Sequence, residues 1–394
     1  MSTAEIILLI IYIVLFSAVI LKTRFFSNSS LASSQIVFIF IIKIIAGIFY
    51  GYVHRIYYGG GDTMEYFVES KFITDRLADH DYVSFIKLLS GINQRPPAPD
   101  IKEYALAIGY WNDMSSYFII RFHAIARLLS FGYYNVHVVF YNFITLVGLL
   151  FLFRFFNNML PSKKYFIAAI IFFFPSVLFF SSGIHKDGVA LAALGFILFF
   201  IQKLNSSFSI NENEKSSLLL QRSFSIIGLL IGLWLMLVVR IFWLLLLIPY
   251  VTALIINLRF PKKPLIKYLL IAAVYFGIAV NLNSFFPDLD FLNIIVLKQR
   301  EFLSIPQGNH ALQIPSLIPS IQSILLAIPN ALGNCILEPG ITNLNSPFEW
   351  MASFENVLIM MLAFICFFER KKICHKLRHH YFSFAFSFPS PFLL

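Results

Sequence analysis

The chain has 394 residues, 59% of them hydrophobic and 13% charged, with a formal net charge of +10. Soluble domains carry about 25% charged residues, so the composition excludes a soluble globular protein and points to an integral membrane chain. Cys335, Cys366 and Cys374 show no CxxC or metal-type spacing, which argues against a disulfide framework and against a zinc site.

In chain order, apolar runs near the ~20 residues needed to cross a bilayer fall at 5–22, 35–53, 134–156, 164–182, 188–203, 223–239, 241–257, 267–282 and 352–368. The expected fold is an all-α polytopic membrane protein with about nine transmembrane helices. The first run has no basic residue before it and no small-residue cleavage site, so it reads as a retained span. Lys22 and Arg24, then Arg154, Lys163 and Lys164, then Lys203, Lys215 and Arg222, then Arg259, Lys262, Lys263 and Lys267, then Arg370, Lys371 and Lys372 occupy the short loops. All fall on one side if the N-terminus is outside and the C-terminus cytoplasmic. The positive charge is thereby assigned to topology and lipid headgroups, with no nucleic-acid partner.

A single membrane domain over 1–380 is expected, with two large outer loops at 54–133 and 283–351 and an uninformative Phe/Ser/Pro-rich tail at 381–394. The first loop shows a helical pattern from Met64 to Leu89, a Pro-rich break at Arg95–Pro99 and a second helix from about Ser115 to Leu129. That second helix carries Arg121, His123 and Arg127 among apolar residues and is expected to lie in the headgroup plane. The apolar segment Ser320–Leu337 is interrupted by Pro329, Asn330 and Asn334 and reads as an interfacial or re-entrant element.

The chemistry-bearing residues gather in the expected outer loops. Three glycines, Gly59 to Gly61, precede Asp62; a helix from there puts Asp62, Glu65, Tyr66 and Glu69 on one face. Asp62 and Glu65 fit a capping box. They equally fit a general base held where a membrane span meets water. Between the fourth and fifth runs, His185, Lys186 and Asp187 crowd a tight hairpin: Lys186 snorkels and Asp187 caps the next span, or the cations bind a phosphate. Arg240 is the lone charge between Ser223 and Leu258, and a guanidinium suits a lipid-linked phosphate or pyrophosphate. In the late loop, Asp288 and Asp290 form an Asp-x-Asp pair that leaves a divalent cation open, while Lys298 and Arg300 either clamp a phosphate or face water. A carboxylate base with cations at the lipid surface suits transfer of a sugar from a polyprenyl phosphate or pyrophosphate carrier to a glycan or lipid acceptor.

A long first outer loop beginning with an acid resembles the GT-C superfamily of polytopic glycosyltransferases. Gly60-Gly61-Asp62-Thr63, then Pro175-Ser176 with Ser181-Ser182-Gly183 and Lys186-Asp187, then Gln299-Arg300-Glu301-Phe302 with Pro329, Ala331 and Asn334, resemble envelope proteins of this type from bacterial surface-polysaccharide loci. The resemblance implies a bacterial inner-membrane glycosyltransferase with a periplasm-facing site. It puts Asp62 at the catalytic acid position with Glu65 as the nearest second acid. His185, Lys186, Arg240, Arg121, Arg127 and Arg300 are then expected to hold the lipid phosphate, supported by Asp187 and Glu301. The adjacent acid pair of some relatives is absent, which leaves the metal open. Capsule and O-antigen polymerases share this layout, so a repeat-unit polymerase is the alternative; a glycan-lipid transporter, an O-acyltransferase and a non-catalytic membrane protein are the further ones.

Overall fold

The computed structural model describes residues 1–90, 96–207, 215–260, 263–284, 286, 290–304, 314–340, 344, 346–362, 364 and 368. Arg95, Asp288, Leu289, Cys366, the cluster Arg370–Lys372 and the 381–394 tail lie outside them. Among the described residues every regular element is helical. The chain divides into two compact units, Met1–Leu247 and Ile248–Leu394.

In the first unit, α1 (Thr3–Lys22) and α2 (Ser33–Tyr52, continued by a wider turn to Tyr57) are followed by α3 (Asp62–Ala78), α4 (Tyr82–Ser90), α5 (Lys102–Ala107) and α6 (Met114–Ser130). Then come α7 (Tyr134–Met159), α8 (Pro175–Ser182), α9 (Lys186–Ser207) and α10 (Lys215–Val239). Helix α11 (Ile241–Arg259) contains the boundary between the units. The second unit adds α12 (Pro264–Val280), α13 (Phe291–Ser304) and α14 (Ile321–Leu337).

Among the described residues five helices are long and apolar enough to cross a membrane, or six if the bent pair Pro161–Phe173 and Pro175–Ser182 makes one span. The protein is therefore a polytopic, multi-pass membrane chain by helix length and composition. The expected nine spans are not reached among the described residues: Ile241–Asn257 and Pro264–Val280 are apolar but shorter. The run 164–182 is not one straight helix. Phe174 is extended and Pro175 opens α8, giving a 50° bend, because proline lacks the donor a continuing helix needs and disfavours helical backbone before it. Pro329, by contrast, lies inside a continuous helix, α14, so the predicted interruption of Ser320–Leu337 is absent.

Cross-helix contacts fix which helix ends share a level. Asn135 Nδ2 donates to Glu5 Oε1 (2.7 Å) where α1 and α7 begin. At the opposite end Arg154 bonds the Phe25 carbonyl, Lys164 Nζ donates to Ser30 O (2.9 Å) and Asn158 Nδ2 to Gln202 Oε1 (3.0 Å). The starts of α1, α7 and α9 and the ends of α2, α8 and α10 therefore lie together, and Lys22, Arg24, Arg154 and Lys163 lie at the far end. Helices α7 and α9 run side by side at close range. A side chain added at Gly195 would collide with the Gly148 carbonyl, and one at Gly148 with Ala192, so small residues set this crossing.

On the first of these ends sits a cap built from α3 to α6. Tyr66, Ile73, Leu88, Trp111, Tyr117 and Ile120 form its buried core, continuous with Tyr141, Ile184 and Val239 of the spanning helices and their links. Full burial of such a side chain contributes about 1.5–3 kcal/mol, which is enough to hold short helices of little intrinsic stability. The pattern Met64–Leu89 is two helices rather than one: His80 takes a left-handed φ of 59°, and Asp81 accepts from Ser84 N (3.0 Å) to start α4. Helix α6 packs one face on protein and leaves apolar residues exposed on another. Its Ile119, Ile120, His123 and Ala124 are buried in protein, leaving Ile125, Leu128 and Leu129 exposed.

Candidate active site

The site lies where the cap meets the ends of α8, α9 and α10. Gly59, Gly60 and Gly61 have φ of 70°, 151° and 116°, conformations open to glycine at little cost, and they turn the chain from α2 into α3. Gly61, not Asp62, is the residue before the helix. The predicted capping box is thus not formed. The Asp62 carboxylate instead accepts from Tyr66 Oη (3.1 Å, Oδ2) and Tyr110 Oη (3.0 Å, Oδ1). The expected shared face is present: Tyr110 also reaches Glu65 Oε2 (2.7 Å), and Glu69 accepts from the backbone N–H of Gly109 (3.0 Å) and Tyr110 (3.4 Å). Thr63 bonds Tyr134 Oη (2.9 Å), tying the first turn of α3 to the start of α7.

His185 stands between two carboxylates. Its Nε2 is 3.6 Å from Asp62 Oδ2 and its Nδ1 is 3.1 Å from Asp187 Oδ2. Burial acts to lower its proton affinity, but the two carboxylates outweigh burial and leave it raised above the ordinary histidine value. The Asp62 carboxyl is held well below the usual carboxylate range, chiefly by His185 and then, against partial burial, by the Tyr110 and Tyr66 hydroxyls. Asp187 Oδ1 also binds Arg240, at 2.5 Å from Nη2 and 3.1 Å from Nε. The charges therefore alternate along one chain: Asp62, His185, Asp187, Arg240.

Lys186 begins a second branch. Its Nζ donates to Ser116 Oγ (2.9 Å), Ser115 Oγ (3.3 Å) and Asp113 Oδ2 (3.4 Å). Asp113 caps α6, accepting from Ser115 N (3.0 Å) and Oγ (2.6 Å) and from Ser116 Oγ (2.6 Å). Although burial opposes it, these hydroxyls and the lysine lower the Asp113 carboxyl to about 2. Ser116 Oγ lies 3.0 Å from Tyr66 Oη, and that contact links the two branches. Burial first, and nearby carboxylates next, raise the Tyr66 and Tyr110 phenols, so both stay protonated.

Of the residues singled out in the sequence, the structure brings together Asp62, Glu65, His185, Lys186, Asp187 and Arg240. Arg127 is elsewhere: it donates to Ser70 Oγ (2.7 Å) and Phe67 O (2.5 Å) and lies over the Phe67 ring, clamping α6 to α3. Arg121 lies over the Tyr117 ring, 4.7 Å from its centroid. Arg300 is exposed on α13 of the second unit, where Glu301 pairs with Lys298 at 2.5 Å. Asp290 accepts from Asn293 N (3.0 Å) in the first turn of α13, a helix cap. Among the described residues no group of three or more His, Cys, Asp or Glu side chains is placed to hold a metal ion. Tyr110, Asp113, Ser115 and Ser116 were missed by the sequence reading; Asp113 just ahead of an apolar helical run is a legible cap signal, whereas Tyr110 has none.

No family model, curated protein or solved structure matches this chain.

What the arrangement can do follows from its protons. Asp62 and His185 set a carboxylate 3.6 Å from an imidazole, a pairing of the kind that takes a proton from a hydroxyl and returns it to a departing oxygen. Arg240 and Lys186 add positive charge on either side, each steadied by its own carboxylate.

Proposed function

We propose that the protein is a membrane transferase that moves a sugar from a polyprenyl-phosphate-linked donor to a glycan or lipid acceptor at the membrane surface. The observation that carries this reading is the Asp62–His185 pair set beside Lys186 and Arg240 at one end of the helical bundle. In the reaction the acceptor O–H loses its proton to this pair, the acceptor oxygen forms the new bond to the anomeric carbon, and the carbon–oxygen bond to the lipid phosphate breaks. Lys186 and Arg240 meet the charge that develops on the departing phosphate. The Tyr110 and Tyr66 hydroxyls hold the carboxylate in place.

The finer topology belongs to the same reading: about nine spans in a GT-C-like layout, a bacterial inner membrane, the N-terminus and the site on the periplasmic side, and the C-terminus in the cytoplasm. It is supported by Lys22, Arg24, Arg154 and Lys163 lying at the end opposite the site. A repeat-unit polymerase acting on polyprenyl pyrophosphate glycans uses the same groups. An O-acyltransferase is favoured by one observation, a histidine with carboxylates on both ring nitrogens.

The test is transfer by the purified protein in vesicles supplied with polyprenyl-phosphate sugars labelled in the sugar. One added sugar per acceptor supports the transferase and a ladder supports the polymerase. Transfer of an acyl label with no sugar transfer would replace the reading with acyl chemistry.

A further inference from the structure

Outside the site, the candidate span of α2 carries a lysine that is 1% exposed, Lys43. Its Nζ donates to Ser181 Oγ (2.8 Å), Ser181 O (3.1 Å) and Ser182 Oγ (3.1 Å), all neutral oxygens. An ammonium held without a carboxylate in an apolar layer is expensive, and the end of α8 supplies the reason for it. That helix stops at Ser182 inside the protein, where its last carbonyls lack helical donors. Lys43 takes the Ser181 carbonyl, and Asn142 Nδ2 (2.9 Å) takes that of Ser182. The negative end of the helix dipole also favours a cation there.

The chain then runs through Gly183 and Ile184 straight to His185. Gly183 lies against the Tyr50 ring and Gly47 against the Ser182 carbonyl, and a side chain at either glycine would overlap its neighbour. Ile184 is fully buried, and the His185 carbonyl accepts from Tyr141 Oη. We infer that Lys43 is a positioning residue: by fixing the end of α8 it sets the His185 imidazole between Asp62 and Asp187. The catalytic consequence rests on the proposed function; the geometric claim does not.

The experiment is an NMR titration of the full chain in nanodiscs with labelled histidines, His185 being assigned by its loss in His185→Gln. Lys43→Met is expected to free the link and lower the proton affinity of His185 about tenfold, near one pKa unit. Lys43→Gln keeps hydrogen-bond donors without the charge and recovers most of that loss. Ile20→Ala, a buried cavity variant on α1, leaves His185 unmoved. An unchanged His185 in folded Lys43→Met overturns the inference, and so does an equal shift in Ile20→Ala, which marks general loosening. If Lys43→Met does not fold, Ser182→Ala removes one acceptor and is expected to give a smaller shift in the same direction; no shift there overturns it. Failure of sugar transfer by the wild type counts against the proposed function alone.

Discussion

His185 Nε2 lies 3.6 Å from Asp62 Oδ2, while the other ring nitrogen is held by Asp187. The first carboxylate depends on the helix that follows the glycine turn and the imidazole on the link between two spanning helices, so the pair reports on how the cap is seated. Asp62→Asn is expected to lower the proton affinity of His185 by about one pKa unit, read by NMR titration. The linkage has a definite sign. Because His185 is raised in the folded state, its contribution to stability is complete below the unfolded value of about 6.5 and is lost as pH rises through the folded value. The stability difference between wild type and His185→Gln therefore shrinks as pH is raised through neutrality.

The buried histidine of α6 behaves in the opposite way. His123 Nδ1 is 2.8 Å from His137 Nδ1, and His137 Nε2 is 2.5 Å from Ser130 Oγ. Burial, then His137 and Arg127, push the proton affinity of His123 well below the ordinary value. The folded state cannot take up the proton that the unfolded chain binds, so stability falls as pH drops below about 6.5. His123→Phe is expected to flatten that acid slope in thermal unfolding measured from pH 7.5 to 5; an unchanged slope contradicts it.

Arg127 is a clamp. Arg127→Ala removes its bonds to Ser70 Oγ and Phe67 O and its stacking on Phe67. The expected cost is about 2–3 kcal/mol of cap stability, visible as earlier proteolysis between α3 and α6. Arg127→Lys restores little, since one ammonium cannot reproduce the paired guanidinium bonds.

Where α7 crosses α9, Gly195→Val is expected to destabilise by at least the 1–3 kcal/mol typical of overpacking, because the obstacle is the Gly148 backbone. Thermal unfolding in detergent checks this. Gly277→Val, with nothing near the added carbon, serves as the tolerated control.

Much of this was legible from residue order, for physical reasons. Hydropathy marked the five long spans, since a bilayer imposes length and apolarity on each helix separately. The other runs are less plain, because an apolar run shows neither where Pro175 breaks a helix nor that, among the described residues, the runs after Arg240 form shorter ones. Helical spacing put Asp62, Glu65 and Glu69 on one face, and all three meet the Gly109–Tyr110 segment. Tyr110 itself was hidden: a loop residue has no period, and its partners are set by how α5 and α6 pack. Arg240 was noticed as a lone charge, but its carboxylate partner, Asp187, follows from tertiary contact between the start of α9 and the end of α10. Arg127, a cation the sequence offers for ligand binding, holds two helices together in the fold, a tertiary contact with no sequence period.

The central claim is that Asp62 and His185 stand at the chemistry. Its most direct test is sugar transfer from a polyprenyl-phosphate donor in vesicles, comparing wild type with Asp62→Asn and with Arg127→Lys as a cap control. The account predicts that Asp62→Asn folds and binds donor but loses transfer at least a hundredfold, the scale of a missing general base, while Arg127→Lys keeps its rate per folded molecule. Transfer by Asp62→Asn at the wild-type rate would contradict the claim and leave Asp62 as a structural ligand of Tyr66, Tyr110 and His185.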